Sequence, residues 1–504
     1  MEILEQIDAF VWGPAMIVLL LGSHIFLTFR TRFIQRKIPQ AIKMSLKKTE
    51  GEGDISPFGA LATALAATIG TGSIVGVATA ILAGGPGAIF WMWLTGVFGV
   101  ATKYSEVFVA IKYRVKDHNG NMLGGAMYAW QRGFTKNGKV PWYARVGAVA
   151  FALFAAIAAI GTGSAVQASA MTGIMTSSGL QVEPWIIGIV IVVLVAAVIF
   201  GGVKIISDVC ERLVPVMAIG YALGCVIILA LNWAYLWDAL VLIFECAFTA
   251  KAAFGGAVGS GIMVALQFGC ARGLFSNESG LGSAPIIAAA AKTKNPAEQS
   301  LIAMTGTFWS TVVICALTGI VLVSTMLAYP GIQDEILNNP TIFSGAQLAS
   351  LAFAQIPYLG TPLLVVGMVA FSYSTILGWS YYGSRAITYL FGKHAILPYQ
   401  ILYVAAAFLG AIGIGDMVWV ISDIGNALMA IPNIIMVLLL SGLIARETKY
   451  YVYDGNLDEE DKTPIPPLTV RTSIRANARK PSKVRGAISG CGCISARGIR
   501  SRRG

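Results

Sequence analysis

The chain has 504 residues, 56% of them hydrophobic and only 12% charged. Soluble domains carry roughly 25% charged residues, so there are too few here to cover the several soluble domains that this length would make. The net charge of +11 belongs to one end, because residues 471–504 hold ten Lys/Arg and no Asp/Glu; the rest carries +1, and nothing in the body points to nucleic acid.

The 56 Gly follow no Gly-X-Y period, which excludes collagen. The seven Cys (Cys210, Cys225, Cys246, Cys270, Cys315, Cys491, Cys493) form no CxxC and have no His at zinc spacing, so no metal or disulfide framework is expected. Windows of roughly 20 mostly apolar residues, the length that crosses a bilayer, recur along the chain. They fall at 10–29, 57–83, 87–111, 143–173, 185–201, 213–236, 240–270, 299–327, 358–384, 398–414 and 418–445. The expected fold is an all-α membrane protein of eleven transmembrane helices. The first is not read as a cleaved signal peptide, since it opens on Glu2, Glu5 and Asp8 with no A-x-A site before Arg30.

Loop charge sets the orientation. One side carries Arg30, Arg32, Lys112, Arg114, Lys204, Arg272, Arg385 and Arg446 among others. The loops assigned to the other side (1–9, 84–86, 174–184, 237–239, 328–357 and 415–417) have no Lys or Arg. This places the N-terminus outside and the C-terminus in the cytoplasm of a multi-pass plasma-membrane protein.

Glycine clusters mark two of the spans. The second contains Thr68-Ile69-Gly70-Thr71-Gly72-Ser73-Ile74-Val75-Gly76 and the seventh Phe254-Gly255-Gly256-Ala257-Val258-Gly259-Ser260-Gly261. Each Gly costs a helix interior about 1 kcal/mol against Ala, so such clusters invite unwinding. Unwound backbone in hydrocarbon is tolerated only where protein buries it or a polar cavity meets it. Paired interruptions in two halves point to a transporter site. The bland alternative is that the glycines only let helices approach closely.

The chain then divides into an extra N-terminal helix (1–29), a basic cytoplasmic segment (30–56), and two five-helix repeats of inverted topology (57–236 and 240–445). A cytoplasmic tail (446–504), expected to be disordered, follows. A half-helix starting near Gly72 would offer bare N–H groups and a positive dipole end to a carboxylate. The carbonyls freed on the other side, with hydroxyls, suit a small hard cation such as Na+.

Residues 84–99 read GGPGAIFWMWLTGVFG. Gly124-Gly125-Ala126-Met127-Tyr128, Gly273-Leu274-Phe275-Ser276-Asn277-Glu278 with Gly282-Ser283-Ala284-Pro285, Gly378-Trp379-Ser380-Tyr381-Tyr382-Gly383 and Ala430-Ile431-Pro432-Asn433 follow in order. Over roughly 10–450 the chain resembles the alanine or glycine:cation symporter family. That resemblance implies a leucine-transporter-type core of ten helices plus one. It also implies Na+-coupled uptake of alanine or glycine in the lipid bilayer, with no cofactor and no obligatory protein partner.

Carried over by resemblance, Gly70, Thr71, Gly72 and Ser73 would bind the substrate carboxylate. Phe248, Phe254 and Gly255 would close over a small side chain, and Gln167 would face the same cavity. Na+ would be held by the Ala66 and Ile69 carbonyls and by Ser374 and Thr375, with Thr249 nearby. Other readings of the same residues stand beside these. Ser374 and Thr375 could back-bond to their own helix, Gln167 could be interhelical glue, and Phe248 and Phe254 ordinary packing. Lys251 could be a fixed charge near the cation path or a partner of Glu245 or Glu106. Lys103 and Glu106 read as an i,i+3 pair near the inner face.

Ser73, Ser310 and Ser384 depart from the family pattern, where Asn, an acidic residue and Glu are expected. Losing an amide and a carboxylate near a second cation position favours one Na+ per substrate. An enzyme is not expected, since HExxH and GxSxG are absent and the only histidines are His24, His118 and His394. A channel would need rings of filter groups. The nearest alternative is a Na+-independent or proton-coupled amino-acid exchanger on the same fold. Residues 471–504 lack hydrophobic period and are expected to be disordered. An out-of-frame or added extension accounts for them as well as a natural tail does.

Overall fold

Pro57 opens the second long helix, with the Ser56 hydroxyl accepting from Gly59 N, a Pro-at-N1 start with a side-chain cap. The same logic recurs at Asn295-Pro296, and Pro184 opens a helix at N1 without a side-chain cap. In this computed structural model the described residues are 2–47, 49–179, 182–249, 262–331, 344–413 and 415–465. Among them, nine helices are long and apolar enough to cross a membrane: 2–30, 57–84, 87–112, 142–177, 202–231, 296–328, 360–391, 393–411 and 417–439. Pro184–Ile199 and Gly345–Ala354 are shorter apolar helices. The only paired strands among the described residues are Val115–Lys116 and Met122–Leu123, an antiparallel hairpin between helices.

The surface of these helices is apolar where a soluble protein's would be charged. Val193, Val216, Leu223, Val226 and Phe200 all lie exposed, as do Trp142, Trp233, Trp237 and Tyr358 at or beside helix ends. That pattern suits lipid tails flanked by interfacial aromatics. The interior instead holds many Ala, Gly, Ser and Thr, which bring helix backbones close. A Cβ at Gly410 would stand 2.2 Å from the Ala165 carbonyl oxygen, and one at Gly163 2.2 Å from Trp379 Cβ.

Helix Gly87–Lys112 is the central post. It is buried over most of its length and packs against Pro14–Arg30, Ile262–Asn277 and Pro296–Thr307. His24 Nδ1 meets Thr102 Oγ1 at 2.7 Å across the first of these contacts. Two membrane helices carry a π-helical stretch, Ala159–Ala165 within 142–177 and Phe308–Cys315 within 296–328.

The seventh span, expected to be discontinuous, is made of two helices: Leu236–Phe248, which ends with Thr249 in extended backbone, and Ile262–Asn277. The break expected at 254–261 lies outside the described residues, as does Lys251. One expectation needs correction: the tail is not disordered from residue 446 onward. Ser441–Thr448 is helical, and the chain continues through a π-helical turn, Lys449–Tyr453, into a strap on the protein.

Polar side chains hold that strap. Lys112 Nζ reaches Glu447 at 3.1 Å and Asp461 at 3.0 Å. Asn295 Nδ2 donates to the Leu457 and Glu459 carbonyls at 2.7 and 2.9 Å. Burial pushes the Asp461 carboxyl up, but Thr463 and Lys112 outweigh it and hold the group below the usual carboxylate range. Composition hid this strap because, beside the buried Tyr451 and Val452, its cohesion comes from polar pairing with distant segments.

Gly410→Ala should destabilise the protein by about 1–3 kcal/mol, the usual cost of overpacking. Gly220→Ala, with nothing within 4 Å of the new methyl, should be neutral or up to about 1 kcal/mol stabilising. Thermal unfolding in detergent reads both, and equal midpoints would contradict the helix contact at Ala165.

Candidate functional site

The second membrane helix is split. Pro57–Thr68 ends at Ile69 (φ −83°, ψ 81°), Gly70 is extended (φ −131°, ψ −147°), and a new helix runs Thr71–Gly84. The split redirects backbone groups. Gly70 N–H turns to the Thr68 carbonyl at 3.1 Å and leaves its regular partner four residues back, the Ala66 carbonyl, which accepts from Thr375 Oγ1 at 2.8 Å. Thr71 N–H points to Gln167 Oε1 at 3.4 Å, while Gln167 Nε2 holds the Thr162 carbonyl in the π-helical stretch at 3.0 Å.

Gly70 is required by space. A Cβ there would stand 2.4 Å from Thr375 Oγ1 and 3.2 Å from Gln167 Oε1. All of Ala66, Ile69, Gly70, Thr71, Gly72, Ser73, Gln167, Ser374 and Thr375 are buried. Within that set Thr71 Oγ1 has no hydrogen-bond partner. A buried hydroxyl left unpaired costs about 1–3 kcal/mol, so this one is free to take a bond from water or from a ligand. Ser374 sits beside Thr375, but its hydroxyl back-bonds to the Phe371 carbonyl at 2.9 Å and lies 3.8 Å from Met217 Sδ.

Phe248 and Thr249 are not brought to this break. Phe248 is 56% exposed and packs on Phe90 and Trp91, with ring centroids 4.9 and 5.7 Å apart. The Thr249 hydroxyl bonds back to the Glu245 carbonyl at 2.7 Å. Both follow helix Leu236–Phe248 across the start of the central post, where the Cys246 backbone would stand 2.4 Å from a Cβ at Gly87. Phe254 and Gly255 lie outside the described residues.

The partner of the first break is the end of helix Ile262–Asn277. Phe275 Cδ1 would be 2.6 Å from a Cβ at Gly72, and Ser276 Oγ lies 3.2 Å from Ser73 Oγ. Ser276 also meets Cys315 Sγ at 2.9 Å and Thr311 Oγ1 at 3.4 Å, and Ser310 Oγ lies 3.5 Å from Thr311 Oγ1. This cluster is neutral, and three of its members come from the second π-helical stretch.

After Asn277 the chain leaves the helix. Glu278, Gly280 and Gly282 have φ of 54°, 99° and 78°, and a short helix resumes at Ala284–Ala288. A Cβ at Gly282 would stand 2.6 Å from Asn433 Oδ1 and 2.7 Å from Phe151. This second irregular segment is braced by charge. Glu106 Oε2 accepts from Gly280 N, Gly282 N and Asn433 Nδ2 at 3.1, 3.2 and 2.9 Å. Lys103 Nζ pairs with Glu106 at 3.3 Å and donates to the Glu278 carbonyl at 2.9 Å. Lys103 and Glu106 do form an i,i+3 pair, but it is fully buried and works as a brace. The sequence signal for this break is the polar run Ser276-Asn277-Glu278-Ser279 with glycines at 280 and 282.

Both ends of the site are closed. At one, Arg272 pairs with Asp423 at 2.6 Å, and its guanidinium lies 5.9 Å from the rings of both Phe275 and Trp419. Trp12 Nε1 donates to the Asp423 carbonyl at 3.3 Å. At the other, Arg114 donates to the Ala289, Ala291 and Glu52 carbonyls at 3.2, 3.0 and 2.9 Å. Beside it a cleft of about 650 Å3 runs between residues 45–58 and Lys204, Ser207, Asp208 and Glu211.

The model of the sodium:alanine symporter family matches residues 1–464. The chain belongs to that family. Its members are transporters and not enzymes, and the activity is Na+-coupled amino-acid transport across a membrane that the chain crosses many times. The sodium/alanine symporter AgcS of Methanococcus maripaludis is 47% identical over 89% of this chain and 97% of its own length. An uncharacterised transporter of Haemophilus influenzae is 45% identical over 92% and 99%. Among solved structures, that of MhsT in complex with L-phenylalanine aligns at a TM-score of 0.57 and 12% identity, covering 80% of this chain and 94% of that one, which shows the fold.

Glu106→Gln should cost about 3–5 kcal/mol, because it leaves Lys103 buried without its counter-charge. Adding Lys103→Met should recover most of that loss in the same thermal unfolding assay. A double variant as unstable as the sum of the singles would mean the two side chains do not act as one brace.

Proposed function

We propose that the protein imports small neutral amino acids, alanine and glycine, with one Na+ per substrate. Import proceeds by alternating access between two inverted sets of five helices. The first set is 57–84, 87–112, 142–177, 184–199 and 202–231. The second opens with the split span made of Leu236–Phe248 and Ile262–Asn277 and goes on with 296–328, 360–391, 396–411 and 415–439, and the N-terminal helix is the extra one. Four membrane helices lie between the two split segments, so the second starts on the opposite side of the membrane from the first, which supports the inversion. The N-terminus faces outside and the C-terminus the cytoplasm of the cell membrane.

The observation that carries this reading is the buried, unpartnered Thr71 Oγ1 at the start of helix Thr71–Gly84. On it, the substrate carboxylate takes that hydroxyl and the amides of Gly70, Thr71, Gly72 and Ser73, where the helix dipole favours an anion. Gln167, held to Thr71 N at the long distance of 3.4 Å, yields that amide when the substrate arrives. Na+ takes the Ala66 and Ile69 carbonyls with Thr375 and Ser374. Thr375 would exchange its bond to Ala66 for the cation, and Ser374 would turn from Phe371.

Three points bear on specificity and coupling. Phe275 lies on Gly72 and replaces the expected Phe248 as the wall, leaving room for little beyond a methyl. AgcS is named for sodium and alanine. Ser73, Ser276, Thr311 and Cys315 offer no formal charge to a second cation, which favours a single Na+; a measured coupling ratio near two would overturn that count.

Uptake of labelled alanine into proteoliposomes, with Na+ replaced by choline at fixed pH, tests the function. Uptake should collapse, and undiminished uptake would favour a Na+-independent exchanger. Thr375→Ala should raise the Na+ concentration for half-maximal uptake about tenfold, for loss of one hydroxyl ligand of roughly 1.4 kcal/mol. The alanine KM at saturating Na+ should move much less; equal loss in both would reject the ligand role.

Phe275→Ala should let leucine compete with labelled alanine where it does not compete in the natural protein. Leucine competing equally with both would remove Phe275 as the wall.

A further inference from the structure

Helix Pro14–Arg30 and helix Ser441–Thr448 meet at one end of the molecule around a recess of about 580 Å3. Its lining is Phe26, Phe29, Arg30 and Arg32 on one side and Gly442, Ala445, Arg446 and Lys449 on the other. Charge on this lining is of one sign. Lys449 is neutralised by Asp454 at 2.7 Å, and Arg32 is held over the Tyr453 ring, 6.0 Å from its centroid. Arg30 and Arg446 have no ion-pair partner among the described residues.

Two unpaired guanidiniums sharing a recess repel one another unless an anion lies between them. The lining also says what kind of anion. Phe26 and Phe29 are 46% and 63% exposed on a helix whose outer face is apolar, so the recess opens toward acyl chains as well as toward water. Gly442 and Ala445 give it a shallow floor. A Cβ at Gly442 would already stand 3.7 Å from Arg30 Nη2, so a larger side chain there would fill the space beneath the guanidinium. Cations at a helix end often serve only to orient the chain in the bilayer. That role needs neither convergence on one recess nor an aromatic lip.

We infer that Arg30 and Arg446, with Phe26 and Phe29 as apolar lip, form a binding site for the headgroup of an anionic phospholipid. The phosphodiester would accept from both guanidiniums in the charge-assisted geometry that Arg provides, and its acyl chains would run along Phe26 and Phe29. The occupant is a membrane lipid and not a free anion, because the lip is apolar and faces the lipid side. The site stands apart from the amino-acid and cation positions and does not rest on them.

The test uses the full chain in nanodiscs of phosphatidylcholine with about one-third phosphatidylglycerol, and reads retained phosphatidylglycerol by native mass spectrometry after extraction. Arg30→Gln with Arg446→Gln should weaken retention about 25-fold, taking roughly 1 kcal/mol per cation near an anionic surface. Gly442→Leu keeps both charges and fills the floor, and should also reduce retention. Because leucine favours helix more than glycine, it keeps the test readable if the double variant does not fold. Lys136→Gln with Lys139→Gln, exposed cations on another loop, should leave retention unchanged. Equal retention by the natural protein and both recess variants would overturn the site. Displacement of the lipid by millimolar inorganic phosphate would overturn the lipid assignment.

Discussion

Peptide groups at Ile69–Gly70 leave their helix in a part of the molecule that water does not reach, and each must find a partner supplied by protein. Leaving one bare in hydrocarbon costs several kcal/mol. The surrounding helices are arranged to meet that demand. Gln167 comes from the α-helical turn just after the π-helical part of 142–177 and Thr375 from the middle of 360–391, while Ser276 at the end of 262–277 meets the Ser73 side chain. Their glycines follow from the same demand, since Gly70 and Gly72 lie where a methyl would strike Thr375 or Phe275.

The two irregular segments are satisfied in different ways. Around 278–283 the partners are a carboxylate, an ammonium and an amide locked to one another, and releasing any of them would strand a buried charge. Around 69–73 the partners are neutral and one bond is long. Only the second arrangement can trade its bonds for a cargo at small cost. The charged brace therefore reads as scaffold and the neutral break as the working surface, although both are turns within buried segments.

Much of this was legible from residue order. The apolar windows, the split at Gly70 and the family signature at Gly84–Gly99 are local patterns, and local patterns survive into the fold. What was not legible was which segment faces Gly72. The Gly-rich run at 254–261, the break that glycine spacing points to, lies outside the described residues. The segment at 278–283 holds fewer glycines and is set instead by Glu106 and Asn433, 174 and 153 residues from Gly280. Phe248 was drawn to the site by position in sequence, yet it follows a helix that ends against Phe90. Ser374 and Thr375 are adjacent and chemically alike; only the rotation of their helix decides that Thr375 meets Ala66 while Ser374 looks toward Met217.

Closure at the two ends also differs in kind. The Arg272–Asp423 end is made from one ion pair, two rings and a bond from Trp12, all side-chain contacts that rotamer changes can undo. The opposite end is tied through backbone carbonyls to Arg114, with bridges pairing Glu52 to Thr293 and Ile55 to Ala291. The strap 449–465 is fastened beside it through Lys112, Lys294 and Asn295. The main-chain bonds at that second end join residues 54–55 to 290–292, just before Pro57–Thr68 and just after Ala284–Ala288, so on the proposed cycle its opening would carry those helices with it. On the proposed cycle, then, one end opens by side-chain rearrangement and the other by displacement of half-helices. The hinge available for that displacement is the pair of irregular turns at 69–70 and 278–283.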